Sequence, residues 1–312
     1  MRTSPDADRL GPVLDNPRSE RVKGVRRLGR RVVRERTGRF VAEGPQAVRE
    51  ALIAHQRSGD VVTALYVTPD AAQRYADEVE LARAGGVRPV PVTAEVLAAM
   101  TDTVTPQGLV AVCATVDRPL EDVLDELSSA GGPLLVAVLA HVRDPGNAGT
   151  VLRAADAAGA DAVVLTEASV DVHNPKCVRS TAGSVFHLPV VQGLPLVDAL
   201  AALRRRGLVV LAADGAGEQN LDDLLDEVDP RHDADDPRAA DDGPVLARPT
   251  AWLLGNEAWG LPEEHRALAD AVVRVPLYGR AESLNLATAA TVCFYASARA
   301  HRRHRRARAG SR

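Results

Sequence analysis

The sequence predicts an α/β protein of two domains, with a parallel β-sheet at the core of the larger, C-terminal one. Short apolar runs alternate with helical segments along the second half of the chain, as is typical of parallel strands covered on both faces. The first half repeats this alternation on a smaller scale. A chain of 312 residues also exceeds the usual size of one hydrophobic core. We therefore expect a small α/β domain followed by a larger parallel-sheet domain.

Changes in composition place the expected boundaries. Residues 226–249 are rich in Asp, Pro, Arg and Ala and are predicted to form a flexible acidic insertion at the surface of the second domain. The complete division is a flexible lead-in over 1–17, a first domain over 18–117, a helical linker over 118–132, a second domain over 133–300 and a basic tail over 301–312.

The first domain opens with a predicted basic amphipathic helix. Ser19 is a suitable N-cap, and apolar residues follow it at helical spacing, namely Val22, Val25, Leu28 and Val32. Much of the remaining helix surface is basic, through Arg26, Arg27, Arg30, Arg31 and Arg34. This surface is either a solvated face or a face that contacts RNA phosphates. The formal net charge of −4 does not exclude the second alternative, because the acidic residues concentrate in 222–242.

Hydrophobic periodicity predicts the remaining elements. In the first domain, strands are expected at 61–67, 87–92 and 109–116, and helices at 45–54 and 94–100. In the second domain, strands are expected at 134–139, 162–165, 185–191, 208–213, 251–254 and 271–275, and helices at 148–158, 196–206 and 287–300.

Three polar motifs each follow a predicted strand of the second domain. The first spans 144–153, the second 253–262 and the third 275–285. Each motif alone has an ordinary structural explanation: an ion pair for Arg153, a simple loop for the second motif, and a turn with a helix cap for the third. Together they favour one binding site, because ligands of open α/β sheets bind at the carboxyl ends of the strands.

In their order and spacing, these motifs resemble those of the SpoU (TrmH-type) RNA 2′-O-ribose methyltransferases of the SPOUT superfamily. The stretch 174–186 is similar to the family's link between the first two motifs. The first half resembles the substrate-binding domain that often precedes this catalytic domain, through 40–44 and 106–108. The resemblance implies a trefoil knot in the second domain, a homodimer and S-adenosylmethionine as the methyl donor.

The resemblance also assigns roles to residues. Arg153 would lie nearest the ribose hydroxyl and bind the adjacent phosphate, since a guanidinium is a poor base; the base role proposed in the family stays open. The other expected catalytic or positioning residues are Asn147, Glu257, Ser283 and Asn285. The expected donor pocket comprises Ala213, Asp214, Gly215, Leu254, Gly255, Asn256, Val275, Pro276, Leu277 and Leu284.

The function implied is 2′-O-ribose methylation of RNA, with 23S ribosomal RNA favoured over transfer RNA. A transfer-RNA methyltransferase and a non-catalytic RNA-binding or ribosome-assembly factor remain alternatives. No GxGxxG motif lies between a predicted strand and a predicted helix, so an ordinary dinucleotide-binding site has no support. The three cysteines are too scattered to predict a disulfide framework or a zinc site. No His/Cys cluster suggests a metal, so no metal is expected. Without a long apolar run or an apolar signal core, no membrane partner is expected, and the expected location is the cytoplasm.

Overall fold

The computed structural model describes residues 11–128, 133–228, 244–256 and 258–310. They form two compact units, each described by itself below. The first unit comprises the chain up to Val116 together with Asp171–His187, and the second comprises Asp117–Val170 together with the chain from Leu188 onward. Across the described parts of the chain, no helix is long and apolar enough to cross a membrane.

The first unit is built on a four-stranded sheet of order β1-β4-β2-β3. Strand β4 is antiparallel to β1 and β2, whereas β3 is parallel to β2. The strands are β1 (Arg39–Glu43), β2 (Val62–Val67), β3 (Pro89–Pro91) and β4 (Leu109–Ala114). The helices are α1 (Glu20–Arg27), α2 (Arg31–Thr37), α3 (Pro45–Ser58), α4 (Pro69–Arg74), α5 (Ala76–Ala84), α6 (Ala94–Met100) and α9 (Pro175–Thr181).

The single basic helix predicted at the start of this unit is wrong, because the chain forms two helices, α1 and α2. Ser19 caps α1 as expected, its hydroxyl accepting a hydrogen bond from the Val22 amide at 3.4 Å. The helix ends before Gly29, a residue that lowers helix stability. Helix α2 is therefore a separate helix, and its side chains do not continue the apolar face of α1. Val32, which was predicted on that face, is 73% exposed.

The same break between the helices places Arg34 in the interior, where it is 3% exposed. Its Nε and Nη2 donate to Oδ2 of Asp171 at 2.8 and 2.6 Å, and its Nη1 donates to the carbonyl oxygens of Leu28 and Gly29, both at 2.9 Å. The predicted contact of Arg34 with RNA is thus wrong. Its charge serves the fold, and the other four predicted arginines stay on the surface.

The predicted flexible lead-in is wrong at its C-terminal end. Leu14 pairs with Val92: its amide donates to the Pro91 carbonyl at 2.8 Å, and its carbonyl accepts from the Thr93 amide at 3.1 Å. The Leu14 side chain packs against the apolar cluster under α1 and α6, which explains why this segment is fixed. Residues 1–10 lie outside the described part of the chain.

Residues Asp171–His187 group with the first unit, although the sequence places them in the second domain. The Phe40 ring lies 4.6 Å from the His173 ring and 5.9 Å from the Phe186 ring, measured between centroids. A strand predicted at 185–191 is instead a 3-10 turn, Ser184–Phe186, followed by a strand, Val190–Leu194, that starts after Pro189. Proline lacks the amide that a ladder requires, which accounts for the late start of the strand.

The second unit contains a seven-stranded sheet of order β7-β6-β5-β10-β8-β11-β9. All its neighbouring strands are parallel, which confirms the predicted parallel-sheet domain. The strands are β5 (Leu135–Leu139), β6 (Ala162–Thr166), β7 (Val190–Leu194), β8 (Val209–Ala213), β9 (Gln219–Asn220), β10 (Thr250–Leu254) and β11 (Ala271–Arg274). The helices are α7 (Leu120–Leu127), α8 (Pro145–Ala158), α10 (Leu196–Arg205), α11 (Leu221–Asp226), α12 (Glu263–Arg266) and α13 (Leu286–Gly310).

Three segments predicted as peripheral contribute to this unit. The predicted linker forms α7, whose Val123 and Leu124 are fully buried in the core of the second unit. The end of the predicted insertion forms a 3-10 turn, Val245–Ala247, with Leu246 fully buried. The predicted tail continues α13 to Gly310, since Ala and Arg favour helix. The rest of the predicted insertion, 229–243, and residues 129–132 and 311–312 lie outside the described part of the chain.

The three cysteines are free and buried, as expected of small apolar side chains. Burial raises the pKa of the Cys293 thiol to about 12 and raises the pKa of the Cys113 thiol as well. The described residues include no group of three or more His, Cys, Asp or Glu side chains placed to hold a metal ion.

Candidate active site

The three polar motifs follow β5, β10 and β11 of the parallel sheet. Strand β10 lies between β5 and β8, and β8 lies between β10 and β11. Because these strands are parallel, the loops that follow all four lie at one edge of the sheet. The strand order therefore brings the first motif to the same edge as the second and third, which begin more than 100 residues later in the chain.

The first and third motifs are joined by a hydrogen bond between two amide side chains. Asn285 donates through Nδ2 to Oδ1 of Asn147 at 3.1 Å. Each asparagine lies at the start of a helix and takes part in a hydrogen bond there. The Asp144 carboxylate accepts from the backbone N–H of Asn147 at 2.8 Å, and Oδ1 of Asn285 accepts from the backbone N–H of Ala287 at 2.9 Å. Two predicted site residues thus contact each other directly.

The second motif forms a tight loop organised by Asn256, which is 6% exposed. Its backbone exchanges two hydrogen bonds with Gly260, at 3.0 and 2.9 Å. Its side chain donates to the His141 carbonyl at 2.8 Å and accepts from the Ala258 amide at 2.9 Å. A Cβ on Gly255 would lie 2.5 Å from the Gly260 backbone, so only glycine fits there. Glu257, predicted as catalytic, lies outside the described residues.

A pair of histidines lies beside this loop. The His141 and His265 rings meet edge to face with centroids 5.0 Å apart. Burial lowers the pKa of His265, and the neighbouring His141 lowers it further. Both effects favour the neutral form of the His265 ring.

Asp214 connects the loop after β8 to the second motif. Its Oδ1 accepts from the Ala216 amide at 2.9 Å and lies 3.5 Å from Nη1 of Arg266, while its Oδ2 accepts from the Leu261 amide at 3.3 Å. The side chain is 11% exposed. The Asp214 carboxylate, predicted to line the donor pocket, also joins two loops, and Arg266 is a contributor that the sequence did not reveal.

A cavity of about 300 Å³ lies among these loops. Its lining includes eight of the ten residues predicted for the donor pocket, namely Ala213, Asp214, Gly215, Gly255, Asn256, Val275, Leu277 and Leu284. Leu254 does not line it because this side chain is buried in the sheet. Pro276 does not line it either, although its neighbours Val275 and Leu277 do.

The sequence missed five further lining residues: Ala258, Gly260, Glu282, Leu286 and Ala289. Four of them lie next to predicted residues or in the same loop, so their position beside a motif could have identified them. Ala289 lies four residues after Asn285, which places it about one helical turn further along α13. Ser283, predicted as catalytic, also lines the cavity and is exposed.

These walls fit S-adenosylmethionine. A nucleoside needs a concave, mostly apolar pocket of a few hundred Å³ with a few polar groups, and the cavity offers Val275, Leu277 and Leu284 beside glycine backbone. Glu282 is an exposed carboxylate on the wall, with no hydrogen bond or ion pair among the described residues. A negative charge there favours a donor that carries positive charge on sulfur and nitrogen.

Arg153 lies on α8, six residues after Asn147, and is exposed. The part of the chain that the structure describes offers it no hydrogen bond and no ion pair. The alternative of a buried structural ion pair is therefore wrong for this arginine. Its guanidinium is free to bind an anion supplied by a ligand.

Comparison with known proteins agrees with this geometry. Residues 134–295 match the profile of the SpoU rRNA Methylase family, and residues 19–111 match that of an MRM3-like substrate binding domain. The 23S rRNA (guanosine(2553)-2′-O)-methyltransferase RlmP of Bacillus subtilis is 32% identical, over 90% of this chain and 97% of its own. A 23S rRNA (uridine(2479)-2′-O)-methyltransferase of Streptomyces viridochromogenes is 31% identical, over 87% of this chain and 86% of its own.

Solved structures give the same result. The AdoMet-bound rRNA methyltransferase from Sinorhizobium meliloti superposes with a TM-score of 0.71 at 30% identity, covering 93% of this chain and 98% of that one. The SpoU methyltransferase AviRb from Streptomyces viridochromogenes, in complex with the cofactor AdoMet, superposes with a TM-score of 0.71 at 26% identity, covering 90% of this chain and 98% of that one. With its two profile matches and its relatives above 30% identity, this chain belongs to the SpoU rRNA methylase family.

Proposed function

We propose that this protein transfers a methyl group from S-adenosylmethionine to a ribose 2′-hydroxyl of 23S ribosomal RNA. The observation that carries the proposal is the convergence of the second motif, the third motif and the loop after β8 on one cavity. The first motif does not line this cavity, but its Asn147 is hydrogen-bonded to Asn285 of the third motif. Family membership and the names of the relatives support the same reaction and the same substrate.

The donor, when bound, supplies a methyl group on positively charged sulfur, which is already reactive toward an oxygen nucleophile. The protein must then align the hydroxyl and lower the cost of removing its proton. Arg153 is suited to hold the phosphate next to the target ribose and to polarise the hydroxyl, since a guanidinium binds phosphate in a bidentate manner. Asn147 and Asn285 keep each other oriented, and Ser283 on the cavity wall is within reach of a ligand. Glu257 remains a proposed partner of Arg153.

RNA binding by the first domain, 18–117, rests on the exposed arginines of α1 and α2. Arg26 and Arg30 have no ion pair among the described residues, whereas Arg27 and Arg31 contact Glu20 and Glu35 at the surface. The set is Arg26, Arg27, Arg30 and Arg31, without the buried Arg34.

Changing all four arginines to Glu should weaken RNA binding and reduce the salt dependence of the affinity, because fewer counterions are released. Titration at several salt concentrations measures both quantities. An unchanged salt slope would return this surface to the role of a solvated face.

The resemblance supports two further structural proposals. A trefoil knot in the second domain and a homodimer are properties expected of the family. For a second copy of this chain, α13 offers two exposed apolar side chains three residues apart, Val292 and Tyr295, at 39% and 52% exposure. Analytical ultracentrifugation tests the dimer. We also propose that the protein acts in the cytoplasm, on the same class of RNA that its relatives modify, 23S ribosomal RNA.

The test of function is transfer of labelled methyl from S-adenosylmethionine to size-fractionated RNA, followed by nucleoside analysis. A 2′-O-methylated nucleoside in 23S ribosomal RNA is the expected result. Label confined to transfer RNA would show that the proposed reaction is correct but that its substrate is transfer RNA. Donor binding without transfer to any RNA would point either to a substrate that exists only during ribosome assembly or to the non-catalytic alternative.

A further inference from the structure

The first unit contains a cavity of its own, of about 690 Å³. It lies where the start of β2 meets the turn that precedes β3. Its lining consists of Arg21, His55, Gly59, Val62, Thr63, Ala64, Tyr66, Gly85, Gly86, Val87, Arg88 and Val90. No predicted site residue is among them.

The cavity exists because β3 is too short to cover β2. Strand β3 spans Pro89–Pro91 and pairs only with Leu65–Val67. Two of its three residues are prolines, which cannot donate to a ladder and which favour sheet edges. The first residues of β2, Val62–Ala64, therefore have no strand partner on the β3 side and form one wall of the cavity.

The charge of the cavity is positive. Arg21 and Arg88 are both exposed, and within the described chain neither has a hydrogen-bonded or ion-paired partner for its guanidinium. The acid next to Arg21 is already used, since Glu20 lies 2.8 Å from Lys23 and 3.7 Å from Arg27. No Asp or Glu belongs to the lining. Two uncompensated guanidinium groups at one cavity favour an anionic ligand.

The lining does not suit a stacked base. Tyr66 is 4% exposed, so its ring is part of the wall. His55 is 7% exposed and both of its ring nitrogens are used: Nδ1 accepts from the Val62 amide at 3.1 Å, and Nε2 donates to the Gly85 carbonyl at 3.1 Å. With no free aromatic face, binding must rest on charge and on backbone groups, which is the chemistry of phosphate contacts.

We propose that Arg21 and Arg88 bind the phosphate backbone of the RNA substrate at this cavity. The inference rests on the proposed function, and it assigns to the first unit a contact beyond Arg26, Arg27, Arg30 and Arg31, although Arg21 lies on the same helix, α1, as the first two. A guanidinium recognises phosphate through two parallel hydrogen bonds, and two such groups at one cavity can fix the course of an RNA strand. Such a contact positions the RNA without reading its sequence.

The test uses the full-length protein and a transcript of 23S ribosomal RNA, without methyl donor, at several salt concentrations. The double variant Arg21→Gln/Arg88→Gln should raise the Kd roughly tenfold and flatten the slope of log K against log salt by about two. The matched control is Arg74→Gln. Arg74 is an exposed arginine of the same unit on α4, which follows the opposite end of β2. The control should match the wild type.

Methyl-transfer kinetics separate this proposal from the proposed function. The double variant should raise the KM for RNA and leave kcat at saturating RNA unchanged. A variant with wild-type Kd and salt slope, while the wild type methylates the transcript, overturns the cavity proposal alone. A wild type that neither binds nor methylates 23S ribosomal RNA overturns both. Because Arg21 and Arg88 are exposed, an unchanged unfolding temperature is expected, and it verifies that the variant is folded.

Discussion

Arg153 of the first motif and Asp214 of the loop after β8 use their charges in opposite ways. Arg153 is exposed and has no partner within the described residues. Asp214 is mostly buried and accepts two backbone hydrogen bonds in addition to its contact with Arg266. A free charge beside a binding site is available to a ligand, whereas an engaged charge is available to the fold.

Arg153→Ala should leave donor affinity unchanged and lower kcat for methyl transfer about 100-fold or more, the scale observed when one group that stabilises a transition state is removed. Arg153→Lys should recover only a small part of the activity, because an ammonium cannot bind phosphate in the bidentate manner. Calorimetry with S-adenosylmethionine and single-turnover transfer to RNA measure the two effects. Equal turnover in Arg153→Ala and wild type would remove this residue from the mechanism.

Asp214→Asn should weaken donor binding and stability together. An amide has one acceptor oxygen and would face at least one of the Ala216 and Leu261 amides with its NH₂ group, leaving a backbone donor unpaired at a cost of about 1–3 kcal/mol. The loops that line the cavity would then loosen, and we expect the Kd for S-adenosylmethionine to rise roughly tenfold. Asp198→Asn, an exposed carboxylate in the first turn of α10, is the control. Unaltered donor affinity in Asp214→Asn would show that the loops hold without this carboxylate.

At the level of elements, predictions from composition were wrong where a polar stretch contains one or two apolar residues that are buried. The end of the acidic insertion reads as surface, yet Leu246 is fully buried in a turn that packs on α13 and α11. The predicted linker likewise buries Val123 and Leu124. Burial of such isolated residues depends on the elements above them, which local periodicity does not report.

Leu246→Ala should destabilise the second unit by about 3 kcal/mol, because it removes a fully buried side chain and leaves a cavity. The exposed Val197→Ala on α10, a residue 58% exposed, should change stability by less than about 0.5 kcal/mol. Urea unfolding followed by tryptophan fluorescence measures both, because the two tryptophans, Trp252 and Trp259, lie in this unit. A Leu246→Ala variant as stable as the control would mean that the turn contributes only surface packing.

The sequence predicted the parallel sheet, because strand periodicity is a local signal. Polar motifs at strand ends predicted one binding site there, and the family resemblance named the residues of its donor pocket, eight of which line one cavity. The sequence did not predict the two helices in place of one, since the position of Gly29 alone does not show where a helix resumes. The inward rotation of Arg34 follows from that break. The use of Asp214 and Arg266 as a bridge depends on loops brought together by strand order, which no local pattern contains.

At the scale of the whole molecule, the chain passes through its two units in alternation. It leaves the first unit at Val116, returns for Asp171–His187 and then leaves again. The returning segment completes the core of the first unit, where Phe186 stacks on Phe40 and Asp171 neutralises Arg34. The first unit thus depends on residues contributed after two strands of the second unit, so its stability is set by long-range contacts.

The pair of Arg34 and Asp171 gives this dependence a measurable pH signature. Burial opposes ionisation of Asp171, but hydrogen bonds from His173 and the Arg34 guanidinium outweigh it and hold the pKa of the carboxyl well below its usual range. A pKa that is lower in the folded than in the unfolded state stabilises the fold above the unfolded value of about 4. This stabilisation declines as the pH falls below that value, toward the folded pKa.

Asp171→Asn should therefore destabilise the first unit by about 3 kcal/mol at pH 7, because it leaves the Arg34 charge buried without a counter-charge. The difference from the wild type should shrink as the pH falls below about 4, where the wild type also begins to lose the ionised carboxylate. Hydrogen exchange of the amides in β1 and β4 reports the opening free energy of this unit by itself. Glu95→Gln, which alters an exposed carboxylate in α6, should follow the wild type throughout. A constant difference between Asp171→Asn and wild type down to the acid limit would mean that the pair is held by packing and not by its charges.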